Sequence, residues 1–203
     1  MVINESSVYG VILAAGSSKR METPKPLLNW CGKSLIDYQV DSLLTGGCNR
    51  VWVVTGKHHK EIVSNITVSE KVKIVFNVDH YLGKSTSVKK GVRSLPKDLF
   101  AMVLIAVDQP RPPWIISKLI NEHKSKTPLI TSPTFLGRGG HPLIFHYQLI
   151  PELKEISESS FGIRKIFTDH KNEILSVPFD SKIVRLDINT PEDYSEALDQ
   201  YGL

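Results

Sequence analysis

The 203-residue sequence predicts a three-layer α/β/α protein, in which a mostly parallel, twisted sheet of about seven strands lies between two layers of helices. Three observations lead there. Nearly continuous aliphatic runs, Val8 to Leu13, Val51 to Val54 and Ala101 to Val107, read as strands covered on both faces. Between the runs lie amphipathic stripes with apolar residues at i, i+4 and i+7. A composition of 41% hydrophobic and 23% charged residues is globular, and a chain this long can bury roughly 70% of its extended surface in one core. Strand–helix alternation of this kind is Rossmann-like, and its ligands sit at the carboxyl ends of the strands.

Taken in order, Val8 to Leu13 is the first strand and ends at a Gly-rich turn. The stripe Ile36, Val40 and Leu43 makes a helix that stops at Gly46-Gly47, where positive φ is tolerated. Val51 to Val54 and Val72 to Phe76 follow as strands, then a helix bearing Val88, Val92 and Leu95. Ala101 to Val107 is the fourth strand, and Pro112-Pro113 opens the next helix. Weaker strands are expected at Leu129 to Thr131, Leu143 to Phe145, Ile174 to Val177 and Ile183 to Leu186. Leu149, Leu153 and Ile156 mark a further helix. The last helix carries Tyr194, Leu198 and Tyr201 and has a clear start, with Thr190 as N-cap, Pro191 in the first turn and Asp193 reaching back.

Composition narrows function. The longest apolar run, Leu99 to Val107, is about half of a membrane span, and the segment Met1 to Ser7 lacks the basic start of a secretory signal. Cys31 and Cys48 cannot build a disulfide framework or a zinc cluster, so a cytoplasmic, reducing compartment is expected. A formal charge of +4 without a basic block gives only weak support to nucleic-acid binding and suits small anionic substrates equally well; no nucleic-acid partner is expected. No membrane partner is expected.

The first strand runs into Ala14-Ala15-Gly16-Ser17-Ser18-Lys19-Arg20-Met21-Glu22-Thr23-Pro24-Lys25-Pro26, and the next helix begins near Ser34. Structureless loops beyond about 12–15 residues are usually functional. Small residues here let backbone N–H groups approach an anion, and Lys19, Arg20 and Lys25 supply charge-assisted bonds to phosphate. Gly32-Lys33-Ser34 and Gly83-Lys84-Ser85 end like P-loops, but Leu27 and Val78 replace the upstream glycine. There is no Gly-x-Gly-x-x-Gly after the first strand, which disfavours a dinucleotide-binding oxidoreductase.

The run Leu13-Ala14-Ala15-Gly16-Ser17-Ser18-Lys19-Arg20-Met21, with Lys25 and Leu27-Leu28, resembles the L-A-A-G-x-S-x-R-M-G-x-x-K-x-L-L signature of nucleotidyltransferases, most closely the molybdenum cofactor (molybdopterin) cytidylyltransferase branch. Glu22 replaces the glycine that the family places after Met. The resemblance spans nearly the whole chain and implies one nucleotidyltransferase domain over 1–203. It implies a nucleotide site of Leu13, Ala14, Ala15, Gly16, Ser17, Arg20 and Lys25, closed by Gly83 and Ser87 against the base. The methyl of Ala15 narrows the pocket, favouring CTP over GTP.

Asp108, in Asp108-Gln109-Pro110 after the fourth strand, reads by itself as a turn cap; beside the first loop it reads as a carboxylate for nucleotide-bound Mg2+. The resemblance strengthens the metal reading, since similar enzymes hold the ion with Asp-x-Pro. Asp187, before Asn189 and Thr190-Pro191-Glu192-Asp193, resembles the family's D-x-x-T-P-E-D segment and is a second metal candidate, with Asn189 beside it. Ser85, Thr86 or Ser87 is expected to cap its helix. Gly137-Arg138-Gly139-Gly140-His141-Pro142-Leu143-Ile144-Phe145 reads equally as a hairpin; it resembles G-R-R-G-H-P-V-L-F, which implies acceptor contacts from Arg138, Gly140 and His141. Ser160-Phe161-Gly162-Ile163-Arg164 matches a further G-x-x-G-A-R segment poorly.

The expected activity is Mg2+-dependent nucleotidyl transfer from CTP to a phosphate-bearing, molybdopterin-type acceptor, with Arg20, Lys25 and Asp108 catalytic. A molybdoenzyme apoprotein or cofactor-insertion chaperone is a further partner the resemblance implies. The rival readings are a sugar-phosphate nucleotidyltransferase and a non-catalytic nucleotide- or cofactor-binding accessory protein, for which Glu22 is the best evidence.

Overall fold

The computed structural model describes residues 7–202 except Lys19, Glu22 and Val68, so the readings of Lys19 and Glu22 lie outside the described residues. The chain opens with β1 (Val8–Ala14), a small ribbon of β2 (Asn29–Trp30) and β3 (Lys33–Ser34), and α1 (Leu35–Thr45). Next come β4 (Arg50–Thr55), α2 (His59–Asn65), β5 (Val72–Phe76), α3 (Lys84–Ser94), β6 (Ala101–Ala106) and α4 (Pro113–Lys126). The second half has β7 (Ile130–Phe135), β8 (Arg138–Gly139), β9 (Leu143–His146), α5 (Ile150–Leu153), α6 (Ile163–Asp169), β10 (Ile174–Pro178) and α7 (Pro191–Tyr201).

The main sheet has the order β10-β7-β9-β6-β1-β4-β5, with β8 paired to β7. Every pairing along this order is parallel except those of β9, which is antiparallel to both β6 and β7. Alternation along the central strands divides the core. Ile12, Val53 and Ile105 face the layer with Ile36 and Val40 of α1, Ile116 and Leu119 of α4, and Ala197 of α7. Val11, Leu13 and Leu104 face the layer with Val88 and Val92 of α3, Leu153 and Ile166. Burying one such side chain stabilises the fold by roughly 1.5–3 kcal/mol, so the two faces fix which strand ends meet.

The caps explain two helix starts. Ser34 accepts from Asp37 N–H at the head of α1, and Thr190 and Asp193 form a reciprocal capping box at the head of α7, as their order predicts. Four expectations need correction. Ile183 to Leu186 is not a strand: Lys182–Arg185 is a 3-10 turn, and Ile183 and Val184 satisfy their apolar character by burial alone. The Leu149, Leu153 and Ile156 stripe yields only the short α5 behind a 3-10 turn, Tyr147–Leu149. The first loop is not structureless, since it holds a 3-10 turn, Lys25–Leu27, and the β2–β3 ribbon. No Ser or Thr side chain caps α3; its N-cap is Gly83 at φ +119°, and the Ser85 N–H donates at 2.6 Å to Glu158 Oε1 instead.

Candidate functional site

Parallel strands deliver their carboxyl ends to one edge of the sheet, and a cleft of about 760 Å³ opens there. The loop after β1 forms one wall with Leu13, Ala14, Ala15, Gly16, Ser17 and Arg20. Gly83 and Ser87, at the head of α3, form another, and Asp108 lies on the floor after β6. Asn77 aims that second wall: its Nδ2 donates to Thr86 Oγ1 at 2.9 Å and to Ser87 Oγ at 3.0 Å.

Lys25 binds the first loop to the floor. Its Nζ donates to Asp108 Oδ2 at 2.8 Å and to Asn189 Oδ1 at 3.2 Å. Two hard oxygens from distant parts of the chain thus converge on one positive charge, which is the donor chemistry a divalent ion such as Mg2+ or Mn2+ requires. Among the described residues no group of three or more His, Cys, Asp or Glu could hold an ion by itself. An ion here would draw its remaining ligands from phosphate and water, as nucleotide-bound Mg2+ does.

Behind the floor stands a buried polar frame. Gln39, on α1, donates from Nε2 to Gln109 O at 2.6 Å and to Ala106 O at 3.2 Å. The Gln109 side chain accepts from Ala106 N–H and donates at 2.7 Å to Asp187 Oδ1. Ile188 N–H donates at 2.8 Å to Asp108 O, so the two acidic residues are carried by bonded backbones. Arg111 has no exposed surface and donates to four carbonyls: Pro110 and His141 at 2.8 Å, Val184 and Leu186 at 2.9 Å. Burial pushes its pKa down to about 9, against the pull of Asp187 and Asp108, which leaves it cationic at neutrality.

A second cleft, about 1020 Å³, adjoins the first. Gly140, His141, Glu158, Phe161, Gly162 and Arg164 are among its lining residues. Gly140 is required there, because an added Cβ would meet Val184 O at 2.2 Å. Burial first, then the Arg111 and Lys84 charges, lowers the His141 pKa to about 4, so its imidazole is neutral at neutral pH. Hydrogen bonding to Ser85 holds the Glu158 carboxyl below its ordinary pKa.

The structure therefore brings Leu13, Ala14, Ala15, Gly16, Ser17, Arg20, Lys25, Gly83, Ser87 and Asp108 around one cleft, and Gly140 and His141 into the neighbouring one. It does not bring Asp187 onto the Lys25 charge: that carboxylate is exposed, bonds Gln109 and lines neither cleft. Arg138 is exposed on the β7–β8 hairpin, whose turn residues Leu136 and Gly137 both have positive φ, and it too lines neither cleft. Sequence reasoning passed over Lys57, His80, Tyr81 and Lys84 in the first cleft. It also passed over Gln39, a polar residue on a helix face that the stripe of Ile36, Val40 and Leu43 turns inward.

The family described as the MobA-like NTP transferase domain matches residues 10–174. The nicotine blue oxidoreductase of Paenarthrobacter nicotinovorans is 29% identical over 165 residues, covering 77% of this chain and 79% of its own. The molybdenum cofactor cytidylyltransferase of Escherichia coli (strain K12) is 26% identical over 197 residues, covering 97% of this chain and 98% of its own. The crystal structure of Rv0371c from Mycobacterium tuberculosis H37Rv superimposes with a TM-score of 0.83 at 22% identity, covering 97% of this chain and 100% of that one. A manganese complex of Rv0371c gives 0.79 at 20% identity, covering 95% and 98%. These superpositions share the fold found here.

Proposed function

The chain belongs to the MobA-like NTP transferase family, and from that premise we propose that it transfers the cytidylyl group of CTP, with Mg2+, to a phosphate-bearing, molybdopterin-type acceptor, releasing pyrophosphate. The observation that carries the reading is the convergence of Asp108 Oδ2 and Asn189 Oδ1 on the Lys25 ammonium, at the foot of a glycine loop that also presents Arg20. The resemblance to a cytidylyltransferase across 97% of the chain supports the choice of donor and acceptor.

In this reaction an oxygen of the acceptor phosphate forms a bond to the α-phosphorus. The bond from that phosphorus to pyrophosphate breaks, and pyrophosphate leaves with the electron pair. The acceptor oxygen is already ionised near neutrality, so no general base is required. Backbone N–H groups of Ala15 to Ser17 receive the phosphates, and Arg20 and Lys25 neutralise charge on the α-phosphate and the leaving group. Gly83 and Ser87 meet the base edge, and Ala15 narrows the pocket against a purine. Asp108 and Asn189 are the residues that would hold the divalent ion, while Asp187 stands behind them on Gln109. When bound, the ion supplies Lewis-acid polarisation of phosphate oxygens. Gly140 and His141 face the acceptor, with His141 offering a neutral ring.

Pyrophosphate release from each of the four nucleoside triphosphates, with Mg2+ and reduced molybdopterin, tests the reading. CTP is expected to support turnover, and Asp108→Asn to lower it by roughly 10³-fold with an unchanged melting temperature. A fully active Asp108→Asn enzyme removes the role given to that carboxylate, and a clear preference for GTP removes the base assignment. Oxidation of a nicotinamide dinucleotide without pyrophosphate release would place the activity with the oxidoreductase-named relative instead.

A further inference from the structure

Among the described residues the two clefts meet at one side chain: Lys84 lines both, and every other lining residue belongs to one cleft alone. Lys84 is the first residue of α3, and its backbone is held from three sides. Gly83 precedes it at φ +119°, Asn77 grips Thr86 and Ser87, and Ser85 N–H is bonded to Glu158 Oε1 at 2.6 Å. An anchored backbone with an exposed four-carbon stem places a charge in a small volume without freezing it.

Two of the neighbouring cations are tied into the floor and the frame behind it, and Arg20, Lys57 and Arg164 each line one cleft alone. Lys25 is paired with Asp108 at 2.8 Å, and Arg111 donates to four carbonyls. Lys84 makes no ion pair within 4.0 Å among the described residues, and the Glu158 oxygen beside it is engaged by Ser85. Its charge still reaches across the seam, where it is one of the groups lowering the His141 pKa.

A transfer between two phosphates needs a cation at that seam. Two negative charges a few ångströms apart in a partly desolvated cleft repel strongly, and phosphates carry more than one charge each. On the reading given above, we propose that Lys84 is a further catalytic residue: its ammonium touches both substrates and neutralises the acceptor phosphate and the α-phosphate as the bond between them forms. The lysine keeps its proton throughout. The bond made joins acceptor oxygen to α-phosphorus, and the bond broken releases pyrophosphate with its electron pair.

Kinetics of Lys84→Met and Lys84→Arg, read as pyrophosphate release against nucleotide and acceptor separately, test this. Lys84→Met is expected to lower kcat by about 10²-fold. Its affinity for a non-hydrolysable CTP analogue should fall far less than kcat does, its melting temperature should not move, and Lys84→Arg should regain most of the rate. An unchanged kcat in Lys84→Met overturns the inference and leaves the proposed function standing. So does a loss confined to analogue binding, which makes Lys84 a ligand of the first cleft alone. A wild-type protein that releases no pyrophosphate from any nucleotide overturns both, and the wild-type arm distinguishes that result.

Discussion

Between Ala14 and Pro24 the described residues wrap the first cleft with few internal bonds among themselves, whereas between Ala106 and Arg111 the polar groups are fastened from behind by buried side chains. The first wall is held chiefly through Ser18, at φ +48°, whose carbonyl accepts from Met21 N–H at 2.9 Å and whose hydroxyl accepts from Lys25 N–H at 3.1 Å. The other wall, the floor that carries Asp108, rests on Gln39, Gln109 and Arg111. The difference follows from what each wall recognises. A surface that cradles an anion with backbone N–H groups must leave those donors free, so it cannot be saturated internally. A surface that presents a carboxylate at a fixed point gains from saturation, because every bond narrows where the carboxylate can be.

The contrast can be broken by measuring what each wall costs to damage. The largest effect is expected at Arg111→Met, which leaves four carbonyls short of a donor. Denaturant unfolding should show a loss of about 3–5 kcal/mol, and a loss below about 1 kcal/mol would mean the Asp108 side of the cleft is not held by this guanidinium.

The next effect is a pH dependence on the same wall. His141 is neutral in the fold, with its pKa lowered to about 4, whereas an ordinary histidine titrates near about 6.5. The unfolded chain therefore binds the extra proton first. Its stabilising contribution is complete above pH ~6.5 and is lost as pH falls towards ~4, amounting to at most about 3 kcal/mol. In metal-free buffer, wild-type stability should fall over this window more steeply than that of His141→Gln. Equal slopes would remove His141 from the rigid wall. The smallest effect is expected on the open wall, where Ser18→Ala should cost about 0.5–1 kcal/mol. A loss matching that of Arg111→Met would abolish the distinction between the walls.

These two walls were not equally legible in the amino-acid sequence. The first was readable because its signals are local: a long Gly-containing loop after an aliphatic run, with Arg20 and Lys25 at fixed spacing. The central strands were readable for a similar reason, since residues such as Val11 and Ile12 are buried on opposite faces and leave an unbroken apolar run. Arg111, between Pro110 and Pro112, reads as an exposed turn residue. Nothing nearby tells that it is buried, because its partners include backbone carbonyls more than 70 residues away. Asp187 has the right residue type in the right segment, yet the bond to Gln109 sets its direction, and that bond exists only once α1 and β6 have packed. Lys84 looked like part of a failed P-loop, and its significance lies in the meeting of two cavities that no spacing rule describes.

The four acceptors of Arg111 are all main-chain oxygens, supplied by Pro110, His141, Val184 and Leu186. Any amino acid offers the same oxygen. During divergence those four positions can therefore change side chain without unmaking the junction, provided the local path of the chain is kept. The guanidinium has no such freedom, because a lysine could not reach in four directions from one plane. Such a joint lets the surroundings of the second cleft drift towards new acceptors while the carboxylate beside the first stays where it was.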